Sequence, residues 1–142
     1  MILSRDVKEE MDLIIPCCPP ECGGILGMHD DIIMYVEFDI KQTNSTHMCS
    51  YYPDVNFFNN IIRKWASEGI AFKGMFHTHF ANVKTLSDGD IEYIEKIMNA
   101  VKESADHLYF PVYILPDRDL IVYLASLKNG RVNICVDDLI IV

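Results

Sequence analysis

The apolar run over residues 70–79 closes on His77-Thr78-His79, and this pair of histidines constrains the fold more than any other feature of the chain. A strand sends successive side chains to opposite faces, so a strand here puts both imidazoles close together on one face. Two neutral imidazoles so placed form half of a zinc site, and a hydrolytic zinc takes a third protein ligand and keeps one position open. A single buried histidine is ordinarily a satisfied core residue. Two on one strand face, at its end, are harder to place in a core. The fold is then required to bring a third donor to this point.

Asp90 is the candidate. Residues 86–104 carry a helical pattern in which Ile94, Ile97 and Val101 follow Asp90 by four, seven and eleven positions. Asp90 therefore points along the apolar stripe, whereas Asp88 belongs with Glu92, Glu95, Asn99 and Glu103 on the other face. An inward carboxylate is costly unless it is paired or binds a metal. Ser87-x-x-Asp90 also fits a capping box, in which hydroxyl and acid satisfy backbone N–H groups at a helix start. The inward direction and the neighbouring His-x-His favour the ligand role over capping alone.

The remaining chain supplies a frame. Ser4 caps a helix through Val7, Met11 and Ile14, ended by Pro16 and Pro19-Pro20, which make a stiff extended lead-in. Residues 21–28 are apolar and glycine-rich, and glycines inside a strand mark a close approach by another backbone or a ligand. Asp30-Asp31 turns the chain into a strand at 32–38, making a hairpin. Residues 41–47 read as a loop and 48–52 as a short extended piece. Pro53-Asp54 opens a helix carrying Val55, Phe58, Ile61, Ile62 and Trp65 at helical spacing, and Gly69 stops it. Strands follow at 110–115, 120–127 and 131–142, joined by Asp117-Arg118-Asp119 and by Lys128-Asn129-Gly130, the latter a strong hairpin signal. The pattern is α/β (α+β): a mixed β-sheet flanked by helices.

With 142 residues, half of them apolar, the sequence reads as one domain over 1–142. A net charge of −9 argues against nucleic acid and anionic membrane surfaces, and favours neutral or basic partners. The N-terminus shows no secretory pattern and no apolar run nears the ~20 residues of a membrane span, so a soluble, cytoplasmic protein is expected. Five cysteines with no CxxC pair do not suggest a disulfide framework. The spacing of Cys17, Cys18 and Cys22 matches no familiar zinc pattern, and the thiols are expected to be free and buried. His29, His47 and His107 fall in turns or polar stretches and read as surface residues. Glu21 reads either as a charge before an edge strand or as a general base, and spacing alone does not bring it to His77.

Taken together, Glu21…His77-Thr78-His79-x7-Ser87-x2-Asp90 resembles the JAMM motif of the MPN+/JAB-domain zinc metalloproteases, in its prokaryotic form. Pro20-Glu21-Cys22-Gly23-Gly24-Ile25-Leu26-Gly27 resembles the segment that carries that family's glutamate, and the element order is similar along nearly the whole chain. The resemblance implies a cytidine-deaminase-like architecture, with His77, His79 and Asp90 as Zn2+ ligands. It implies Glu21 as the base that takes a proton from water and passes it to the leaving amine, and Ser87 as a hydrogen-bond donor to the oxyanion. It implies as substrate the C-terminal tail of a ubiquitin-like or sulfur-carrier protein, added to a sheet edge with small residues in a narrow groove. One departure is Phe80, where the family has proline. The alternatives are a zinc hydrolase of a small amide or peptide, and a non-catalytic MPN-type interaction module. Two imidazoles and a carboxylate suit zinc, and would also accept iron or manganese. The sequence sets no oligomeric state.

Overall fold

In the computed structural model, residues 1–40 and 51–142 are described. The elements run β1 (Ile2–Leu3), α1 (Arg5–Ile14), β2 (Gly23–His29), β3 (Ile32–Asp39), α2 (Val55–Ser67), β4 (Ala71–His79), α3 (Asp88–Ala100), β5 (His107–Ile114), β6 (Asp119–Lys128), β7 (Arg131–Asp137) and β8 (Ile140–Ile141). The eight strands form one sheet in the order β7-β6-β5-β4-β2-β3-β1-β8. β4 and β5 are parallel, as are β1 with β3 and β1 with β8, and the other pairs are antiparallel. β7 and β8 stand at opposite ends of that order although only Asp138 and Leu139 separate them in the chain. The sheet therefore curls back on itself, and the N-terminal ammonium fastens the closure on Asp137 Oδ2 at 2.5 Å and Asp138 O at 2.6 Å.

Strand alternation divides the core. Leu26 of β2 and Phe76 of β4 pack with Val7, Met11 and Ile15 on the α1 side. Their neighbours Ile25 and Met75 pack with Phe58 and Trp65 of α2 and Ile94 and Met98 of α3 on the other. His77 and His79 share the parity of Met75, so they belong to the α2/α3 face. Two of the hairpins, β2–β3 and β6–β7, turn on a pair of left-handed residues: Asp30 and Asp31 have φ of 49° and 63°, and Asn129 and Gly130 have 51° and 72°. That is the pattern of the tight turn whose twist matches the flanking strands.

The glycines on β2 and β4 mark real close approaches. A side chain at Gly24 would begin 2.2 Å from Glu37 O, and one at Gly74 would begin 1.8 Å from Tyr109 O. Gly74 pairs with Tyr109 where β4 meets β5, so an added methyl could enter only by parting these strands. Gly74→Ala is expected to cost about 3 kcal/mol or more, since backbone gives way less readily than a side chain. Urea unfolding checks this, and a loss under 1 kcal/mol would contradict it.

Several expectations need correction. Residues 131–142 are not one strand: β7 stops at Asp137, and β8 joins β1 at the other edge. β1, only two residues long, was not expected at all. α3 ends at Ala100 rather than Ser104, and β5 begins at His107, which is therefore a strand residue. Residues 17–20 form bends rather than an extended lead-in. Cys17, Cys18 and Cys135 are exposed free thiols, and among the described cysteines only Cys22 is buried. Ile14 is 39% exposed, and Ile15 takes its place in the core. The loop at 41–47, with His47, and most of the 48–52 piece lie outside the described residues; Tyr51 and Tyr52 have no regular structure.

Candidate metal centre

β4 delivers His77 and His79 to its C-terminal end, where the sheet hands over to α3. Their Nε2 atoms are 2.9 Å apart. Asp90 Oδ1 lies 3.2 Å from His77 Nε2, and Asp90 Oδ2 lies 3.4 Å from His79 Nε2. Among the described residues these three offer donor atoms that all fall within 4.8 Å of one another. Two nitrogens bound tetrahedrally at zinc distances of 2.0–2.1 Å sit roughly 3.3 Å apart, so the donor set has the size of a zinc site. The tautomer fits as well. His79 Nδ1 lies 3.1 Å from the Val83 carbonyl, which can only accept, so Nδ1 keeps its proton and the Nε2 proton, which faces Asp90, is the one a metal would displace.

Asp90 serves the helix and the site together. Ser87 is the N-cap of α3: its Oγ accepts from Asp90 N at 3.1 Å, and Asp90 Oδ2 accepts from Ser87 N at 2.7 Å and Ser87 Oγ at 2.8 Å. The capping box is thus present, and the same carboxylate faces both imidazoles, so the two readings of Asp90 are compatible. Burial works against its charge, but hydrogen bonds from His77 and His79 hold its carboxyl far below the usual range. Burial likewise opposes a charge on His79, yet the bond to Asp90 raises its pKa. Ser87→Ala removes the cap and one tether on Asp90. A stability loss of about 1 kcal/mol and a roughly tenfold drop in zinc affinity are expected, measured by urea unfolding and chelator competition; unchanged zinc affinity would contradict the tether.

The register of the sheet brings Glu21 to this point. Gly23 pairs with His77, and the same antiparallel register continued by two residues sets Glu21 against His79. Thr78, fully buried on the α1 face, fixes this stretch: its Oγ1 accepts from Cys22 N at 2.9 Å, and its own amide donates to Cys22 O at 2.9 Å. β2 is central in the sheet, so Glu21 does not precede an edge strand. Burial pushes the Glu21 carboxyl up to about 7; the charge of His79 pulls against this, and that of Asp90 adds to it. Glu21, His77, His79, Ser87 and Asp90 all line one cavity of about 630 Å³.

The strand exit is held without proline. Phe80 packs against the α1-side core and also lines the cavity. Ala81 and Asn82 turn the chain with φ of 53° and 56°, and Tyr123 Oη donates to Lys84 O at 2.8 Å. Thr78, Val83 and Tyr123 escaped the sequence reading. Thr78 could have been found from its parity, opposite the histidines; Val83 acts through a backbone carbonyl and leaves no side-chain signal.

No protein-family model matches the chain, and no curated protein does. Solved structures do match in shape. A solution structure of a protein from Desulfitobacterium hafniense aligns with TM-score 0.67 at 18% identity, over 99% of this chain and 92% of that one. The crystal structure of a JAB1/MPN domain protein from Archaeoglobus fulgidus aligns with TM-score 0.56 at 14% identity, over 100% and 97%. A solution structure of a protein from Salinibacter ruber gives 0.58 at 14%, over 99% and 90%. At these identities the likeness is one of fold, and the fold is MPN-like. Among the described residues no helix is long and apolar enough to cross a membrane.

Proposed function

We propose that this protein is a zinc-dependent peptidase or isopeptidase acting on the C-terminal tail of a ubiquitin-like or sulfur-carrier protein. The observation that carries the hydrolase reading is the convergence of two imidazole nitrogens and one carboxylate on a single point, beside a glutamate in the same cavity. The tail as substrate rests on the motif resemblance. His77, His79 and Asp90 hold the metal, and the Val83 carbonyl keeps His79 in the ligating tautomer. A zinc ion in that position acidifies water and polarises a carbonyl. Glu21 takes the proton that water loses on attacking the scissile carbonyl, and returns it to the amine as the C–N bond breaks. A carboxyl whose pKa lies near neutrality suits both halves of that transfer. Ser87 donates to the oxyanion when its hydroxyl turns from Asp90 Oδ2, its partner in the resting site.

The test joins metal content to cleavage. Tag-free protein reconstituted at neutral pH is expected to hold about one zinc per chain and to release the tail from a ubiquitin-like fusion, with chelation abolishing release. Zinc binding without cleavage of any amide would sink the hydrolase reading. Absence of zinc would return Asp90 to capping alone, and the interaction-module reading would lead.

A further inference from the structure

The cavity beside the ligand triad is larger than the passage of small residues needs. It encloses about 630 Å³, within the span of roughly 300–1,000 Å³ typical of pockets that bury most of a ligand. Only one corner of it is strongly polar, and the elements that carry the ligands build part of the rest. On β4, Met75 lies two residues before His77, on the same strand face. On α3, Tyr93 and Ile94 follow Asp90 by three and four, one turn along the same side. Phe110 of β5 and Leu86 ahead of α3 add apolar surface. Tyr51 stands against Gly23, where an added Cβ would meet its ring at 2.5 Å, and its hydroxyl lies 3.3 Å from the buried Asp39. Met75, Ile94 and Phe110 are themselves part of the buried core, so this wall is set by the fold.

Resting on the hydrolase reading, we infer that this chamber is a side-chain subsite that takes an aromatic or branched apolar residue flanking the amide to be cut. Apolar walls reward the burial of apolar surface, which a glycine next to the scissile bond does not have. Glu21 and Asp90 at the polar corner disfavour an acidic side chain there. Selection then rests on one neutral bulky residue, and a run of small residues does not suffice.

Two measurements test this, one independent of turnover. In methyl NMR spectra of the zinc-free protein, N-acetyl-phenylalaninamide is expected to shift the Met75, Leu86 and Ile94 methyls, and N-acetyl-glycinamide to leave them in place. Leu86→Trp, which fills the chamber from outside the ligand set, should suppress the shifts. In the zinc-loaded protein, a peptide with phenylalanine beside the scissile bond should be cut with kcat/KM at least about tenfold above its all-glycine counterpart. Absence of methyl shifts, or cleavage of both peptides at equal rates, overturns the subsite. Faster cleavage of glycine-only tails overturns it too, and leaves the hydrolase reading standing. Shifts at these methyls in a protein that binds zinc yet cuts neither the peptides nor the tail fusion would do the reverse: the pocket stands and the hydrolase reading falls.

Discussion

Asp90→Ala is expected to lower bound zinc from about one per chain to a trace, with affinity falling at least about a hundredfold. The carboxylate is the only acidic donor facing both imidazoles among the described residues, and it lies 3.2 and 3.4 Å from their Nε2 atoms. Its loss leaves two neutral nitrogens, too few for a stable tetrahedral site. The same substitution removes half of the α3 capping box, at a cost of about 1 kcal/mol. Asp90→Asn separates these effects, since an amide oxygen can still accept from Ser87 N, whose present bond to Asp90 is 2.7 Å. The asparagine variant should keep near-normal stability and still bind zinc poorly. Elemental analysis after dialysis against chelator, with urea unfolding of both variants, decides the matter. Full zinc content in Asp90→Ala would remove it from the ligand set.

The site was legible where it depends on local periodicity. His77 and His79 share a face because any strand makes them do so, and Asp90 points inward because Ile94 and Ile97 do. The helices at Arg5–Ile14 and Val55–Ser67 followed from caps and apolar spacing, and Ser4 and Asp54 are indeed their N-caps. What stayed hidden depends on pairing between distant segments. β1 exists because Ile2 and Leu3 fit beside Ile33, Ile140 and Ile141, which no local pattern records. The break at Asp138 and Leu139 follows from the curl of the sheet, which carries the chain from one edge to the other; reading 131–142 as one strand passed over the Asp137-Asp138 pair inside it. The distance from Glu21 to His79 is likewise a matter of register. They lie fifty-eight positions apart in the chain, and only the pairing of Gly23 with His77 brings them side by side. The exposure of Cys17 and Cys18 has a similar origin, in bends that composition does not reveal.

Glu21→Gln separates catalysis from metal binding. The glutamine keeps shape and hydrogen-bonding capacity but neither accepts nor returns a proton at neutral pH. Turnover is expected to fall about a thousandfold, within the 10²–10⁴ range for loss of a general base, while zinc content stays unchanged because Glu21 is outside the triad. A second signature needs no substrate. In the metal-free protein, burial lifts the Glu21 carboxyl from an ordinary 4.5 to about 7. The unfolded chain therefore releases this proton first as pH rises. The carboxyl's favourable contribution is complete below about 4.5 and is lost as pH climbs through 7. Partial contact with solvent reduces the effect, leaving about 1–2 kcal/mol. Glu21→Gln should accordingly match wild type near pH 4 and exceed it by that amount at pH 8, in urea unfolding of chelated protein. Equal stability at both pH values would mean that the carboxyl is solvated and its pKa ordinary. Undiminished turnover would show that another group moves the proton, and the role assigned to Glu21 would be withdrawn.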